Sequence, residues 1–150
     1  MKILVTVGTT RFDGLIEHLD THASDIDGQF TMQIADGSYC PGNVPWFRFT
    51  EDIEQYYRDA DLVITHGGAG SVYRLLELGK PIIVVPNLER NDNHQEDLAN
   101  YMARRNHALV VRDFELLMDT IRRCPEHQFE PYSVEPFSAA DEILSFVLEN

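Results

Sequence analysis

Short apolar runs alternate along the chain with segments that have helical periodicity. Residues 2–7 form a short, nearly continuous apolar run, which is typical of a strand buried on both faces of a sheet. The predicted strands are 2–7, 29–35, 46–49, 61–65, 81–86 and 107–111, and the predicted helices are 12–20, 51–60, the segment after residue 70, 93–106, 113–123 and 138–150. Alternation of this kind predicts an α/β fold, a Rossmann-like doubly wound parallel sheet.

Length and composition favour a single domain over residues 1–150, with 138–150 as a C-terminal helix. The chain has 25 acidic residues against 12 Lys and Arg, a formal charge of -13, so nucleic acid and anionic lipid are disfavoured as direct ligands. The N-terminal apolar run is too short for a secretory signal, and no stretch reaches membrane-spanning length. Cys40 and Cys124 have no metal-site spacing. We therefore expect a cytoplasmic protein.

Two loops follow predicted strands where ligands of such sheets bind. Residues 7–12, VGTTRF, come after the first strand, and residues 66–71, HGGAGS, come after strand 61–65. Glycine amides at the start of a helix form an anion site, because the backbone can approach a phosphate closely and the helix dipole is positive there. Ser71 either caps the helix or donates its hydroxyl to a phosphate. The alternative is a tight turn that binds nothing.

Familiar nucleotide and metal motifs fit poorly. A dinucleotide fingerprint requires G-x-G-x-x-G after the first strand, but Gly8 is followed only by Gly14. A Walker loop ends in Gly-Lys-Ser/Thr, whereas Gly79-Lys80 runs into Pro81. Two Asp-x-Asp pairs occur, Asp25/Asp27 and Asp59/Asp61, and with 13 Asp in the chain about one such pair is expected by chance. We do not count them as a metal site.

A third polar stretch lies between strand 81–86 and helix 93–106. The helix opens with Asn93, His94 and Gln95, whose amide and imidazole groups are suited to hydrogen-bond the hydroxyls of a sugar. The alternative is plain capping of the helix by Asp92 or Asn93, with solvated neighbours.

Three segments in this order resemble glycosyltransferase family 28, C-terminal-domain type: ILVTVGTTRFDGLI, DLVITHGGAGSV and LGKPIIVVPNLERNDNHQEDLA. The resemblance runs from Met1 to about Val111. It is closest to short stand-alone members, among them the cytosolic subunit of the two-part N-acetylglucosaminyltransferase of asparagine-linked glycan assembly and bacterial exopolysaccharide subunits.

The resemblance implies the donor-binding, C-terminal half of a GT-B glycosyltransferase, inverting and metal-independent, that uses a UDP-sugar and no further cofactor. It implies a separate membrane-anchored acceptor subunit, without which the chain is inactive, so that the chain is recruited to the cytoplasmic face of a membrane. A non-catalytic nucleotide-sugar sensor or scaffold is the alternative.

By similarity, three groups of residues would form the donor site. Backbone near Phe49 and Thr50 would recognise uracil, and His94 and Gln95, beside Asn93, would contact the sugar. The pyrophosphate would be held by Gly67, Gly68, Ala69, Gly70 and Ser71, with Gly8 and Thr9 lining the cleft.

His66 and Arg74 leave alternatives open. His66 is a weak candidate for the catalytic base, and it suits a phosphate donor or a packing residue better. Arg74 stands where the family usually has a glutamate that accepts hydrogen bonds from ribose, and a guanidinium only donates. Arg74 therefore either turns to solvent or pairs with Glu77, or its guanidinium reaches an anion, such as a donor phosphate or a carboxylate of the sugar or partner.

Overall fold

The computed structural model describes residues 1–88 and 94–133, which form a six-stranded parallel sheet with helices on both faces. The strand order is β3-β2-β1-β4-β5-β6. The strands are β1 Lys2–Thr6, β2 Gln29–Gln33, β3 Trp46–Phe47, β4 Leu62–Thr65, β5 Ile82–Val84 and β6 Leu109–Val110. The α-helices are α1 Asp13–His22, α2 Ile53–Asp59, α3 Ala69–Glu77, α4 His94–Arg104 and α5 Leu117–Arg123. The predicted doubly wound parallel sheet is confirmed.

The central strands are apolar because helices cover both of their faces. All four residues of β4 are buried, and in register Val5 of β1 lies between Met32 of β2 and Ile64 of β4. Alternate residues serve opposite layers: Ile3 and Val5 pack with α1 and α5, whereas Leu4 packs with α2, α3 and α4. Two apolar cores, one on each side of the sheet, therefore hold the helices in place.

The predicted elements differ from the observed ones mainly at their ends. The predicted strand 46–49 is only two residues long, as befits a sheet edge, and the predicted helix 113–123 begins as a 3₁₀ turn over Phe114–Leu116 before α5. Asp113 caps that turn by accepting from the Glu115 amide. Such boundary shifts leave the order and type of the elements unchanged.

A buried carboxylate fastens the long loop between β2 and β3. Asp20, 2% exposed, accepts hydrogen bonds from the Gly42 and Asn43 amides and from the Tyr39 hydroxyl, each at 2.9 Å. Burial acts to raise the pKa of Asp20, but these hydrogen bonds outweigh it and hold the pKa below its usual value. The end of the loop, at residues 42 and 43, is thus fixed near the amino edge of the sheet. Its beginning is held at the carboxyl edge, where the Arg11 amide donates to Asp36 at 2.8 Å and the Ser38 amide donates to Asp13 at 3.0 Å.

Among residues 1–88 and 94–133, no helix combines the length and apolarity that a bilayer crossing requires. The C-terminal helix predicted for 138–150 lies outside the described residues.

Candidate functional site

The two loops singled out in the sequence meet at the carboxyl edge of the sheet. β1 and β4 are neighbours, and their last residues, Thr6 and Thr65, are paired in register. The chain therefore leaves the sheet twice at adjacent points, into residues 7–12 and residues 66–68. The second loop leads directly into α3.

His66 is the residue around which these loops pack. It is 9% exposed, and a Cβ added to Gly8 would lie 2.6 Å from its Cε1 atom, while a Cβ added to Gly68 would lie 2.7 Å from the same atom. Gly8 also has a φ of 64°, in the left-handed region that favours glycine. His66 thus packs against both glycines, and donation from its imidazole to a phosphate stays a prediction.

A buried polar network holds the first loop from below. The Thr6 hydroxyl donates to Oε1 of Gln33, and the Gln33 amide donates to the Gly8 carbonyl at 2.8 Å. Thr6 is fully buried and Gln33 is 6% exposed. Because these side chains satisfy each other and the loop backbone, the position of Gly8 is fixed by the strands beneath it.

Gly67 is bare because α4 presses against it. A Cβ at Gly67 would lie 2.8 Å from the Gln95 Cβ and 2.9 Å from the Gln95 carbonyl oxygen. The Gln95 side chain accepts from the Asn87 amide at 2.9 Å, and the Asn87 side chain donates to the Arg11 carbonyl at 3.5 Å. Gln95 thus joins α4 to the glycine loop and to the loop after β5, so its side-chain oxygen is already engaged within the protein.

Gly70 differs from the other glycines of the site. It is exposed and is the second residue of α3, and apart from its own stretch of helix a Cβ added there meets no atom of the described residues within 4 Å. The first intrahelical bond runs from the Val72 amide to the Gly68 carbonyl at 3.0 Å, so the amides of residues 69–71 precede it and have no intrahelical acceptor. The start of α3 is therefore open to a ligand and offers hydrogen-bond donors.

The sequence left Ser71 two roles, and one of them is wrong. The N-cap residue of α3 is Gly68, without a side-chain cap, and Ser71 lies inside the first turn. Its hydroxyl, half-buried at the open end of the helix, stays a predicted ligand for phosphate.

Arg74 forms an ion cluster with two glutamates. Its Nε and Nη2 donate to the two carboxylate oxygens of Glu54 at 2.6 and 2.7 Å, and its Nη1 donates to Glu77 at 3.1 Å. The hydrogen bond from Arg74 lowers the pKa of Glu54, and the same contact raises the pKa of Arg74. The expected pairing with Glu77 is present, and the anion that the guanidinium contacts most closely is Glu54 of α2.

Sequence reasoning missed Glu54, Gln33 and Thr6 as parts of this region. Glu54 lies 20 positions before Arg74 and looks like an ordinary helix-surface acid. Gln33 ends β2, whose sequence QFTMQ already alternates polar and apolar residues, so its polarity gave no distinct signal.

The remaining predicted site residues lie along the same edge. Thr9 and His94 are exposed, and Phe49, 58% exposed, precedes Thr50 in the segment that leads into α2. The Thr50 hydroxyl accepts from the Asp52 amide at 3.1 Å. Asn93 lies outside the described residues.

The Asp-x-Asp pairs lie at the opposite edge of the sheet, since Asp25/Asp27 precedes β2 and Asp59/Asp61 precedes β4. Asp59 accepts from Gln55 at 2.8 Å, and Asp61 accepts from the Lys2 amide at 2.7 Å, next to the amino ends of β1 and β4. In the part of the chain that the structure describes, no three of His, Cys, Asp and Glu are grouped so as to hold a metal ion.

Comparison with known families and proteins gives a consistent result. The model of the glycosyltransferase family 28 C-terminal domain matches residues 2–136. The chain is 37% identical over 118 residues to the human UDP-N-acetylglucosamine transferase subunit ALG13, an alignment that covers 70% of this chain and 10% of the human protein. It is 34% identical over 129 residues to the ALG13 subunit of Yarrowia lipolytica, covering 75% of this chain and 66% of that protein. The chain thus spans only about a tenth of the human relative.

Solved structures show the same fold at lower identity. The Acinetobacter baumannii MurG crystal structure aligns with a TM-score of 0.66 at 22% identity, over 83% of this chain and 42% of that one. The solution structure of ALG13 aligns with a TM-score of 0.60 at 18% identity, over 95% of this chain and 94% of that one.

Proposed function

This chain belongs to the glycosyltransferase family 28 C-terminal domain family, and we propose that it is the donor-binding subunit of a UDP-sugar glycosyltransferase. Its human and Yarrowia relatives are named as subunits of a UDP-N-acetylglucosamine transferase, which supports both a UDP-sugar donor and a partner subunit. We propose that the partner binds the acceptor, is anchored in a membrane, and recruits this chain to the cytoplasmic face for polysaccharide or lipid-linked glycan synthesis.

The open space at Gly70 is the observation that carries this proposal. A glycine within a helix is less stable than an alanine by roughly 0.5–1 kcal/mol, and no described atom of the protein lies where the side chain would be. At Gly8, Gly67 and Gly68 a side chain would clash with other parts of the protein. At Gly70 it would not, so this position leaves room for a ligand. A diphosphate fits that place, because the first-turn amides donate to its oxygens and the helix dipole is positive there.

The same geometry suits departure of the nucleoside diphosphate. In sugar transfer, a bond forms between the acceptor oxygen and the anomeric carbon while the bond from that carbon to the diphosphate oxygen breaks. Negative charge grows on the diphosphate, and the amides of residues 69–71 with the positive end of α3 stabilise it, in place of a metal ion. With the diphosphate held at α3, an acceptor approaching from the partner attacks the opposite side of the sugar, so the configuration inverts and the partner's base takes the hydroxyl proton.

Co-expression with the adjacent gene product, as the candidate membrane-anchored subunit, tests this function. We expect membranes containing both proteins to transfer sugar from a radiolabelled UDP-sugar panel to a lipid-linked acceptor, and either protein alone to transfer none. A Gly70→Val variant that still assembles with the partner is expected to lose transfer. Binding of UDP-sugars without transfer in the assembled complex would contradict the transferase and leave a nucleotide-sugar sensor.

A further inference from the structure

Arg74 and Gly70 lie on the same face of α3. They are four residues apart, so Arg74 projects about one helical turn below the open space at Gly70. Its guanidinium is occupied by carboxylates on three of its nitrogens, with Glu54 at 2.6 and 2.7 Å and Glu77 at 3.1 Å. The Arg74 guanidinium therefore holds Glu54 and Glu77 in place and is poorly placed to bind a phosphate as well.

Glu54 lies near the start of its helix. It is the second residue of α2, as Gly70 is of α3, and both helices start at the carboxyl edge of the parallel sheet. Arg74, one turn from Gly70 along α3, donates to both carboxylate oxygens of Glu54. Glu77 lies about two turns from Gly70 on the same helix. Of the two acids that Arg74 binds, Glu54 is thus the one near the start of its helix, at the sheet edge where the proposed diphosphate site lies.

The Glu54 carboxylate keeps acceptor capacity after this pairing. Each oxygen can accept two hydrogen bonds, and Arg74 takes one on each. Arg58 adds a longer contact of 3.4 Å on Oε2, so Oε1 keeps an acceptor site, and the side chain remains 37% exposed. The contact with Arg74 also keeps the group ionised, since it lowers the pKa of Glu54. An ionised carboxylate repels a phosphate but accepts strongly from hydroxyl groups, and the part of a nucleotide adjacent to its diphosphate is a ribose with two vicinal hydroxyls.

We propose that Glu54, held in position by Arg74, accepts the ribose hydroxyls of the donor nucleotide. Glu54 on α2 supplies the carboxylate, and Arg74 on α3 is a positioning residue that holds this carboxylate in place. This inference rests on the proposed function, since it needs a nucleotide diphosphate at the start of α3.

Titration calorimetry with UDP, 2′-deoxy-UDP and 3′-deoxy-UDP tests the role of Glu54. We expect the wild type to bind UDP about tenfold more tightly than at least one deoxy analogue, as a charge-assisted hydrogen bond implies, and Glu54→Ala to abolish that preference. Glu77→Ala is the matched control, because it also loses a contact with Arg74 but lies farther from the loop, and it is expected to keep the preference.

The outcomes separate this inference from the proposed function. UDP binding with no preference over either deoxy analogue, or with a preference that survives Glu54→Ala, would contradict the ribose role and leave the donor site standing. Failure of the folded wild type to bind UDP at any accessible concentration would contradict the donor site itself.

The role of Arg74 has its own test. Arg74→Gln removes the charged pair while leaving the Glu54 carboxylate present, and we expect the preference for UDP over the deoxy analogue to shrink severalfold. The double variant Glu54→Arg, Arg74→Glu exchanges the two partners, so an ion pair that contains a carboxylate again joins α2 and α3. We expect this variant to recover part of the preference for UDP over the deoxy analogue. An unchanged preference in a folded Arg74→Gln protein would show that Glu54 needs no positioning.

Discussion

At the residue scale, glycines that look alike in sequence have different physical reasons. Gly8 and Gly68 enclose the His66 imidazole, Gly67 receives Gln95, and Gly70 faces open space. A glycine that packs against the protein is expected to affect stability when it is replaced, whereas one that faces a ligand is expected to affect binding. This difference allows the two roles to be separated by measurement.

Gly8→Ala should destabilise the protein by about 1–3 kcal/mol. The new Cβ would require a left-handed backbone at a φ of 64° and would lie 2.6 Å from a carbon of the buried imidazole. Urea unfolding of wild type and variant measures the difference, with Gly42→Ala as the control, since a Cβ at Gly42 meets nothing within 4 Å. Equal unfolding midpoints for Gly8→Ala and wild type would show that the loop relaxes around the methyl group without cost.

His18 should make the fold sensitive to mild acid. Burial and the neighbouring His22, whose ring centroid is 4.5 Å away, lower the pKa of His18 below 6.5, and its Nε2 is buried with no hydrogen-bond partner among the described residues. The unfolded chain therefore takes up a proton near pH 6.5 while the native state does not, so stability is full above pH 6.5 and falls as the pH drops toward the lower native pKa.

The measurement is the free energy of unfolding between pH 8 and pH 5 for wild type and His18→Gln. We expect the wild type to lose more stability than the variant below pH 6.5, because glutamine does not titrate. Parallel curves for the two proteins over that range would contradict a lowered pKa at His18.

At the element scale, α2 and α3 are joined by charge as well as by apolar packing. Tyr57 of α2 lies in the same core as Val72 and Leu75 of α3, and the Arg74–Glu54 pair links the exposed sides of the two helices. Because both charged groups are substantially exposed, salt should screen their attraction.

Arg74→Glu should lower the thermal midpoint, and more so at low ionic strength. The change replaces an attractive cluster by three neighbouring carboxylates, at positions 54, 74 and 77, on a chain that already carries a charge of -13. Thermal unfolding at 20 mM and 500 mM NaCl measures the effect, and Arg58→Glu, which removes a longer 3.4 Å contact with Glu54, serves as the comparison. A midpoint shift that is the same at both salt concentrations would point to lost packing rather than charge.

The elements were predictable because each depends on local pattern. Apolar runs and alternating patterns predicted the strands, and the glycine-rich turn after β4 indicated the edge where we propose that the ligand binds. The contacts within the site could not be predicted, because they join residues far apart in the chain. These contacts are Gly8 with His66, Gly67 with Gln95, and Glu54 with Arg74. Sequence periodicity cannot show which loops meet, so the packing glycines were indistinguishable from the open one.

At the scale of the whole molecule, the proposed anion site at the start of α3 belongs to a strongly acidic protein. A net charge of -13 repels a diphosphate at long range, so the local donors at residues 69–71 have to overcome that repulsion. We therefore expect UDP binding by the isolated chain to be weak, and a basic partner that covers part of the acidic surface to strengthen it. Comparing the UDP affinity of the chain alone and of the assembled complex would show whether the partner acts in this way.

Calorimetric titration of UDP into the folded wild type, Gly70→Val and Gly42→Val tests the central claim most directly. Gly70 and Gly42 both face open space, but Gly42 belongs to the loop fastened by Asp20 at the opposite edge of the sheet. We expect wild type and Gly42→Val to bind UDP with similar affinity, and Gly70→Val to show no binding, because its side chain fills the place of the diphosphate. Wild-type affinity in a folded Gly70→Val protein would contradict a nucleotide diphosphate at the start of α3.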